Sequence, residues 1–306
     1  MAEVVINTSK AEQCFLLENA LSEAYLEHAQ HWFKPITAEI SKHQKGAKSP
    51  LIIGVNGSQG SGKSTLASYL SMIFESEYNL KCVVMSLDDF YFTQDKRNEL
   101  AQQVHPLLAT RGVPGTHDTQ LLQRVMSNLK SSLHTTIPRF NKAIDNPFPI
   151  SEWTDITPPV DIIIVEGWCW GVRAQGANDI TCPANSLEVQ QDANAVWRNY
   201  VNDQLKTAYE PLYELVDIWL MLKAPAFSTV MQWRFEQEQK LAARVQQTGG
   251  DSSKVMTQEQ ISEFISYFQR LTEHGLQQLP NHCHYVWDLR SDRRIQSLHR
   301  PKEYLI

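Results

Sequence analysis

A chain of 306 residues, 42% hydrophobic and 20% charged, is long enough to bury a substantial core and is read as one domain over residues 1–306. Its formal net charge of -6 argues against a nucleic-acid binder that works through bulk electrostatics and leaves small molecules as the expected partners. Five cysteines, an odd number without Cys-x-x-Cys spacing, suit a reducing cytoplasm better than a disulfide framework.

Glu3, Lys10 and Glu12 precede the short apolar cluster 14–17, with no basic leader, and no apolar run approaches the length of a membrane span. A cytoplasmic chain without membrane contact is expected. Residues 11–43 set Phe15, Leu16, Ala20, Tyr25, Phe33, Ile36 and Ile40 at helical spacing, which predicts two helices within an N-terminal segment, 1–48, packed on the body. Residues 51–55 then form an apolar run that reads as a buried strand.

A phosphate-binding loop follows that strand directly. Gly57, Ser58, Gln59, Gly60, Ser61, Gly62, Lys63, Ser64 and Thr65 are the expected nucleotide-binding residues. Glycines reach φ > 0 freely, so the backbone N–H groups can turn inward around phosphates. Lys63 adds a point charge and Ser64 a hydroxyl for Mg²⁺. The helical stretch 65–74 aims its N-terminal dipole at the same anion.

A second β-rich run, 81–87, ends in Asp88-Asp89-Phe90-Tyr91. Gly112, Pro114 and Gly115 mark a loop, after which Thr116 or Asp118 caps a helix through Leu121, Leu122, Val125, Met126 and Leu129. Residues 143–159, rich in proline, read as an excursion. The run 160–165, apolar apart from Asp161, reads as a central parallel strand closed by Glu166-Gly167. Residues 171–193 form a second, irregular excursion. Helices at 194–209 and 229–245 are separated by a strand at 217–222, a loop at 248–254 follows, and a helix at 258–279 and a last strand at 285–289 complete the order. His282-Cys283-His284 adjoins that strand, where neighbours point to opposite faces, so it is not read as a metal cluster. The alternation predicts an α/β fold of the P-loop NTPase kind, mainly a parallel sheet with helices on both faces.

Ligands of open parallel sheets gather at the carboxyl ends of the strands, and the phosphate loop, Asp88 and Glu166 all fall there. A kinase acting on an alcohol needs a carboxylate beside the acceptor hydroxyl, which suits Asp88, and Mg²⁺ near the phosphates, which suits Glu166. The alternative for Asp88 and Asp89 is a turn or helix cap. A GTPase would need Asn-Lys-x-Asp. Asn141-Lys142-Ala143-Ile144-Asp145 puts its Asp one residue late and ahead of the Glu166 strand.

Further stretches carry a resemblance: residues 87–91, the Arg111-Gly112-Val113-Pro114-Gly115-Thr116-His117-Asp118 run, 138–142, 165–168, 200–205 and 232–238. Over about residues 50–290 the chain resembles the phosphoribulokinase, uridine kinase and pantothenate kinase superfamily, and within it the D-glycerate 3-kinase branch. The resemblance implies ATP and Mg²⁺ bound by Lys63 and Ser64, Asp88 as catalytic base, Glu166 assisting the metal, and Arg234 as a catalytic residue on a helical lid. An anionic acceptor suits Arg111 and Arg139, because a planar guanidinium binds a carboxylate bidentately. Tyr91, His117, Asp118 and Lys142 complete the acceptor set. Tyr91 and Trp168 follow the strand-end acids and can wall the acceptor pocket, whereas Trp153, Trp170 and Trp197 read as packing. Asn141 stands where relatives associated with glycerate carry Asp, which bears on the acceptor and not on phosphoryl transfer. D-glycerate giving 3-phosphoglycerate is the expected reaction. A nucleoside, pantothenate-like or sugar-acid acceptor, or an ATP-binding regulator without an acceptor, stay open.

Overall fold

The computed structural model describes residues 8–248 and 256–301, so most of the loop expected at 248–254 lies outside the described residues. Ser9 and Glu12 cap one another reciprocally and start α1 (Lys10–Glu18). Helices α2 (Ala24–Trp32) and α3 (Lys34–Gly46) follow, three where the periodicity predicts two. The breaks have local causes. Ala20 takes a positive φ of 52° just after α1, and Pro35, which lacks an N–H, starts α3.

Strand β1 (Leu51–Gly57) leads into α4 (Lys63–Tyr78), against which α1 and α3 pack, with Phe15 and Phe33, the residue before α3, both meeting the Tyr69 ring. Strand β2 (Cys82–Ser86) ends in a 3-10 turn, Leu87–Phe90. Helix α5 (Gln94–Gln103), a second 3-10 turn at Pro106–Ala109 and α6 (Thr119–Lys130) follow, with Asp118 as the cap of α6. α5 carries no apolar periodicity to announce it, since Arg97 is its buried residue.

β3 (Thr135–Ile137) and β4 (Phe140–Asn141), ahead of the expected excursion 143–159, form a nested hairpin with β5 (Asn146–Pro147) and β6 (Thr154–Ile156), which the excursion holds. β4 pairs with β5 inside and β3 with β6 outside, both antiparallel. Strand β7 (Ile162–Gly167) returns to the centre. The stretch 171–193 then contains a helix, α7 (Ser186–Gln191), capped by Asn185. Helix α8 (Val196–Gln204), a π-helical turn at Leu205–Tyr209 and α9 (Glu210–Tyr213) lead to β8 (Ile218–Lys223). Helices α10 (Phe227–Thr248) and α11 (Gln258–Gln278) pack on one another, and β9 (Tyr285–Leu289) follows. A further strand, β10 (Ile295–His299), folds back antiparallel, so β9 is not the last. Its connection contains neither Gly nor Asn, and Arg293 supplies the left-handed residue with φ of 68°.

The main sheet has the order β10-β9-β8-β1-β7-β2, all parallel except β10. Every residue of β1 and β7 is buried, as central strands covered on both faces require. The register is decisive for the site. Glu166 pairs with Val55 on one side and Ser86 on the other, so the strand ends that carry the phosphate loop, Glu166 and Asp88 stand level.

The nested hairpin is tied to this frame by Arg97, whose side chain is fully buried. Its guanidinium donates to the carbonyls of Ala109 at 2.8 Å and Asp145 at 2.9 Å and pairs with the Asp145 carboxylate at 2.8 Å. It also donates to the Phe92 carbonyl, so replacing it would leave three carbonyls without that donor and the partly buried Asp145 carboxylate with Arg111 alone. Arg97→Met is expected to destabilise the chain by about 3 kcal/mol, read as a lowered urea midpoint at unchanged slope.

Candidate active site

The phosphate loop is built by backbone geometry. Gly60 has φ of 77° and Gly62 has φ of 93°, a region that costs other residues steric strain. A Cβ at Gly60 would stand 2.9 Å from Cβ of Trp233, so the loop also lies directly against α10. Gly62 is the N-cap of α4 and offers no side chain to the free N–H groups of its first turn, and a Cβ there would meet nothing within 4 Å. Those donors open on space suited to an anion.

Ser64 Oγ donates to Glu166 Oε1 at 2.8 Å, and Lys63 Nζ lies 3.8 Å from Glu166 Oε2. Glu166 Oε2 and Ser61 Oγ are buried without a hydrogen-bond partner. A hard cation takes oxygen ligands and keeps several waters, so the Ser64 hydroxyl with the Glu166 carboxylate fits Mg²⁺ bound jointly with phosphates. Thr65 and Gly62 also line a cleft of about 700 Å³ between α2 and the β9–β10 turn, with Tyr25, Trp32 and Arg293 on its walls.

Asp88 sits two residues past the end of β2, in the 3-10 turn. Its N–H is capped by Ser86 Oγ, its Oδ1 accepts from the Tyr91 hydroxyl at 3.0 Å, and its Oδ2 accepts from Lys142 Nζ at 2.6 Å. Burial pushes its carboxyl up, but the Lys142 and Lys63 ammoniums outweigh that and hold it down at about 2. The backbone of residues 90–92 bridges that of 116–118, which brings Tyr91 and His117 into a stack with ring centroids 4.3 Å apart. His117 Nδ1 meets the Tyr209 hydroxyl at 2.7 Å, and that hydroxyl also accepts from the Gly115 N–H. Nε2 of His117 is buried without a partner.

The other expected acceptor residues are already engaged. Arg139 pairs with Asp89 at 2.8 Å and donates to Thr154, while Asp89 also accepts the Phe140 N–H. Arg111 pairs with Asp145 and lies over the Phe140 ring. Both guanidiniums therefore hold the hairpin to the body, and an acceptor carboxylate would have to compete for them. Asp118 is spent on the Leu121 N–H as the cap of α6. Asn141 accepts the Ala143 N–H, so it shapes the tip of the hairpin that the Asn-Lys-x-x-Asp stretch forms. Trp168 donates to the Gly112 carbonyl and meets Phe268 edge-on, which makes it packing for the 112–115 loop.

Arg234, expected on a lid, is drawn along α10 to the buried Glu238 at 2.7 Å and lies over the Phe264 ring. The cation that touches the phosphate loop is Arg293. It donates to the Gly60 carbonyl at 2.8 Å, pairs with Glu236 at 2.7 Å and stands over Trp233. Sequence reasoning passed over Arg293 because its turn follows a strand that was not expected to have a partner. It passed over Tyr209 because a π-helical turn has no periodic signature, although such turns concentrate at functional sites.

His117 has a consequence for acid stability. Burial lowers it from 6.5 to about 3, against the nearby Asp88 charge, so the unfolded chain takes up a proton there before the folded chain does. Stability is therefore expected to fall as pH drops from about 6.5 towards 4, at about 1.4 kcal/mol per pH unit from this group. His117→Gln should lose about one proton's worth of that slope in urea midpoints measured across this range, a window that lies above the titration of Asp88.

Three comparisons place this arrangement among known proteins. The model of the phosphoribulokinase / uridine kinase family matches residues 52–176, which span the phosphate loop, Asp88 and Glu166. An uncharacterized kinase of Schizosaccharomyces pombe is 31% identical over 255 residues, 80% of this chain and 88% of that protein. The chloroplastic D-glycerate 3-kinase of Arabidopsis thaliana is 29% identical over 257 residues, 78% of this chain and 52% of its own length. A solved D-glycerate 3-kinase structure from Cryptococcus neoformans shares the fold at a TM-score of 0.69 and 24% identity, covering 96% of this chain and 99% of that one. With the family match over the phosphate loop and both acids, and a relative 31% identical over 80% of this chain, the chain belongs to the phosphoribulokinase / uridine kinase family and is an ATP-dependent small-molecule kinase.

Proposed function

We propose that this kinase transfers the γ-phosphoryl group of ATP to a hydroxyl of a small anionic metabolite, D-glycerate giving 3-phosphoglycerate. The observation that carries the reading is Asp88, in the turn just past Ser86, the partner of Glu166 in the sheet, and met by Lys142 of the hairpin at 2.6 Å. A carboxylate that must accept a proton, with a cation beside it for an acceptor's own negative charge, is what an ATP:hydroxy-acid kinase requires. The names of two similar proteins, both D-glycerate 3-kinases, support the acceptor.

In this reading Lys63 and the first-turn N–H groups of α4 offset charge on the β- and γ-phosphates. Ser64 and Glu166 would hold Mg²⁺, whose chemistry is to neutralise phosphate oxygens. The nucleoside of ATP occupies the cleft beside Gly62 and Thr65. Asp88 orients the acceptor hydroxyl and takes its proton, while Tyr91 fixes the carboxylate through Oδ1 and so leaves Oδ2 for the acceptor side. Arg234 has no step in this scheme, since Glu238 and Phe264 hold it.

An assay of ADP formation with D-glycerate, uridine and pantothenate tests the acceptor. D-glycerate is expected to be used best, and a preference for either of the others rejects it. Asp88→Asn is expected to lower kcat by about 10²–10⁴-fold with ATP affinity nearly unchanged by calorimetry, whereas Lys63→Ala should weaken both. Near-normal turnover by Asp88→Asn removes the base assignment.

A further inference from the structure

Three cations of this region face carboxylates of the same region, and the pairs are not equivalent. Arg139 is fixed by Asp89 and Thr154, and Asp89 is in turn fixed by the Phe140 N–H. Arg111 pairs with Asp145, which the buried Arg97 also holds. Exchanging either guanidinium onto a ligand would break a network that orders the hairpin. Lys142 differs on each count. Its side chain is 59% exposed, its charge sits on a flexible stem, and Asp88 is its partner among the described residues.

Asp88 differs from the other two acids as well. All three acids have both oxygens engaged, but where Asp89 and Asp145 are held by guanidiniums with backbone or buried partners, Asp88 is held by the Tyr91 hydroxyl on Oδ1 and by the exposed Lys142 ammonium on Oδ2. A carboxylate so paired is a weak base, and water or an alcohol approaching it gains little from proton transfer.

We propose that Lys142 keeps Asp88 closed to water and to uncharged alcohols, and that the carboxylate of an anionic acceptor opens it by taking over the Lys142 ammonium. The inference rests on the reading of Asp88 as the base. The exchange swaps one carboxylate partner of Lys142 for another, so the ammonium is never left unpaired. Asp88 meanwhile loses its nearest cation and gains proton affinity as the acceptor hydroxyl arrives. In the step that follows, that hydroxyl gives its proton to Asp88 Oδ2 and its oxygen forms a bond to the γ-phosphorus of ATP. The bond from that phosphorus to the β–γ bridging oxygen breaks, and ADP leaves with the electron pair. Selectivity for an acid thus arises at the base itself, and ATP is protected from hydrolysis while the acceptor is absent.

The test compares wild type with Lys142→Met in three reactions under ATP and Mg²⁺: with D-glycerate, with glycerol, which keeps hydroxyls and lacks the carboxylate, and with water alone. Lys142→Met is expected to hydrolyse ATP about tenfold faster than wild type in the absence of acceptor, and adding Asp88→Asn should abolish the gain. Its ratio of kcat/KM for D-glycerate over glycerol is expected to fall by about 100-fold, because one rate drops as the other rises. Unchanged or slower hydrolysis, or equal losses on both alcohols, overturns the proposal, since a lysine that only stabilises the hairpin would give one of those results. A wild type that phosphorylates no D-glycerate overturns the acceptor assigned above, and the hydrolysis arm, with water as acceptor, still decides the role of Lys142.

Discussion

Three buried parallel strands end level with one another, and the site depends on that register. Glu166 on β7 is matched across the sheet by Val55 of β1 and Ser86 of β2. One residue of slip in either pairing would carry Glu166 to the opposite face of its strand and separate it from Ser64. The slip is opposed by strands with no exposed face to tolerate it, since every residue of β1 and β7 is buried. Asp217 adds a local pin at the opposite end of the sheet, where its carboxylate accepts the Ile52 N–H at 2.8 Å. The chemistry at the carboxyl edge is thus positioned by apolar packing several residues away.

Upon this frame the acceptor side is assembled by charge. The nested hairpin has short strands and an exposed tip, with Ile144 and Ile150 both open to solvent, so it buries too little to hold its own position. Ion pairs do that work instead. Arg97 anchors Asp145 from beneath, Arg139 reaches Asp89, and Lys142 then falls over Asp88. Adjacent acids in one 3-10 turn consequently have different tasks. Asp89, bonded to backbone and guanidinium together, is part of the scaffold, while Asp88 meets a single mobile cation and a tyrosine.

The donor side is held from the far end of the chain. Arg293 joins the Gly60 carbonyl to Glu236 and Trp233 of α10, so the antiparallel β9–β10 turn, the phosphate loop and the long helix form one contact. This explains why Arg234 stands aside. Trp233 faces the loop, as the 2.9 Å approach at Gly60 shows, and the next residue along the helix is directed elsewhere, towards Glu238 and Phe264. Among the described residues no helix is long and apolar enough to cross a membrane.

Local chemistry in the sequence was enough to determine the parallel core and the donor loop. Glycines at 57, 60 and 62, the apolar runs before the loop and before Glu166, and the acids at strand ends are each recognisable within a few residues, because backbone conformation and burial act at short range. The tertiary structure alone decided which cation meets which acid, pairing Arg139 with Asp89, Arg111 with Asp145 and Arg234 with Glu238, and it fixed Asp118 rather than Thr116 as the helix cap that the sequence already offered. It also supplied α5, the π-helical turn that carries Tyr209, and the β10 strand that brings Arg293 to Gly60. Ion pairs such as Arg97 with Asp145 or Arg293 with Glu236 join residues tens of positions apart, and nothing in the residue types selects one partner over another until the fold sets the distances.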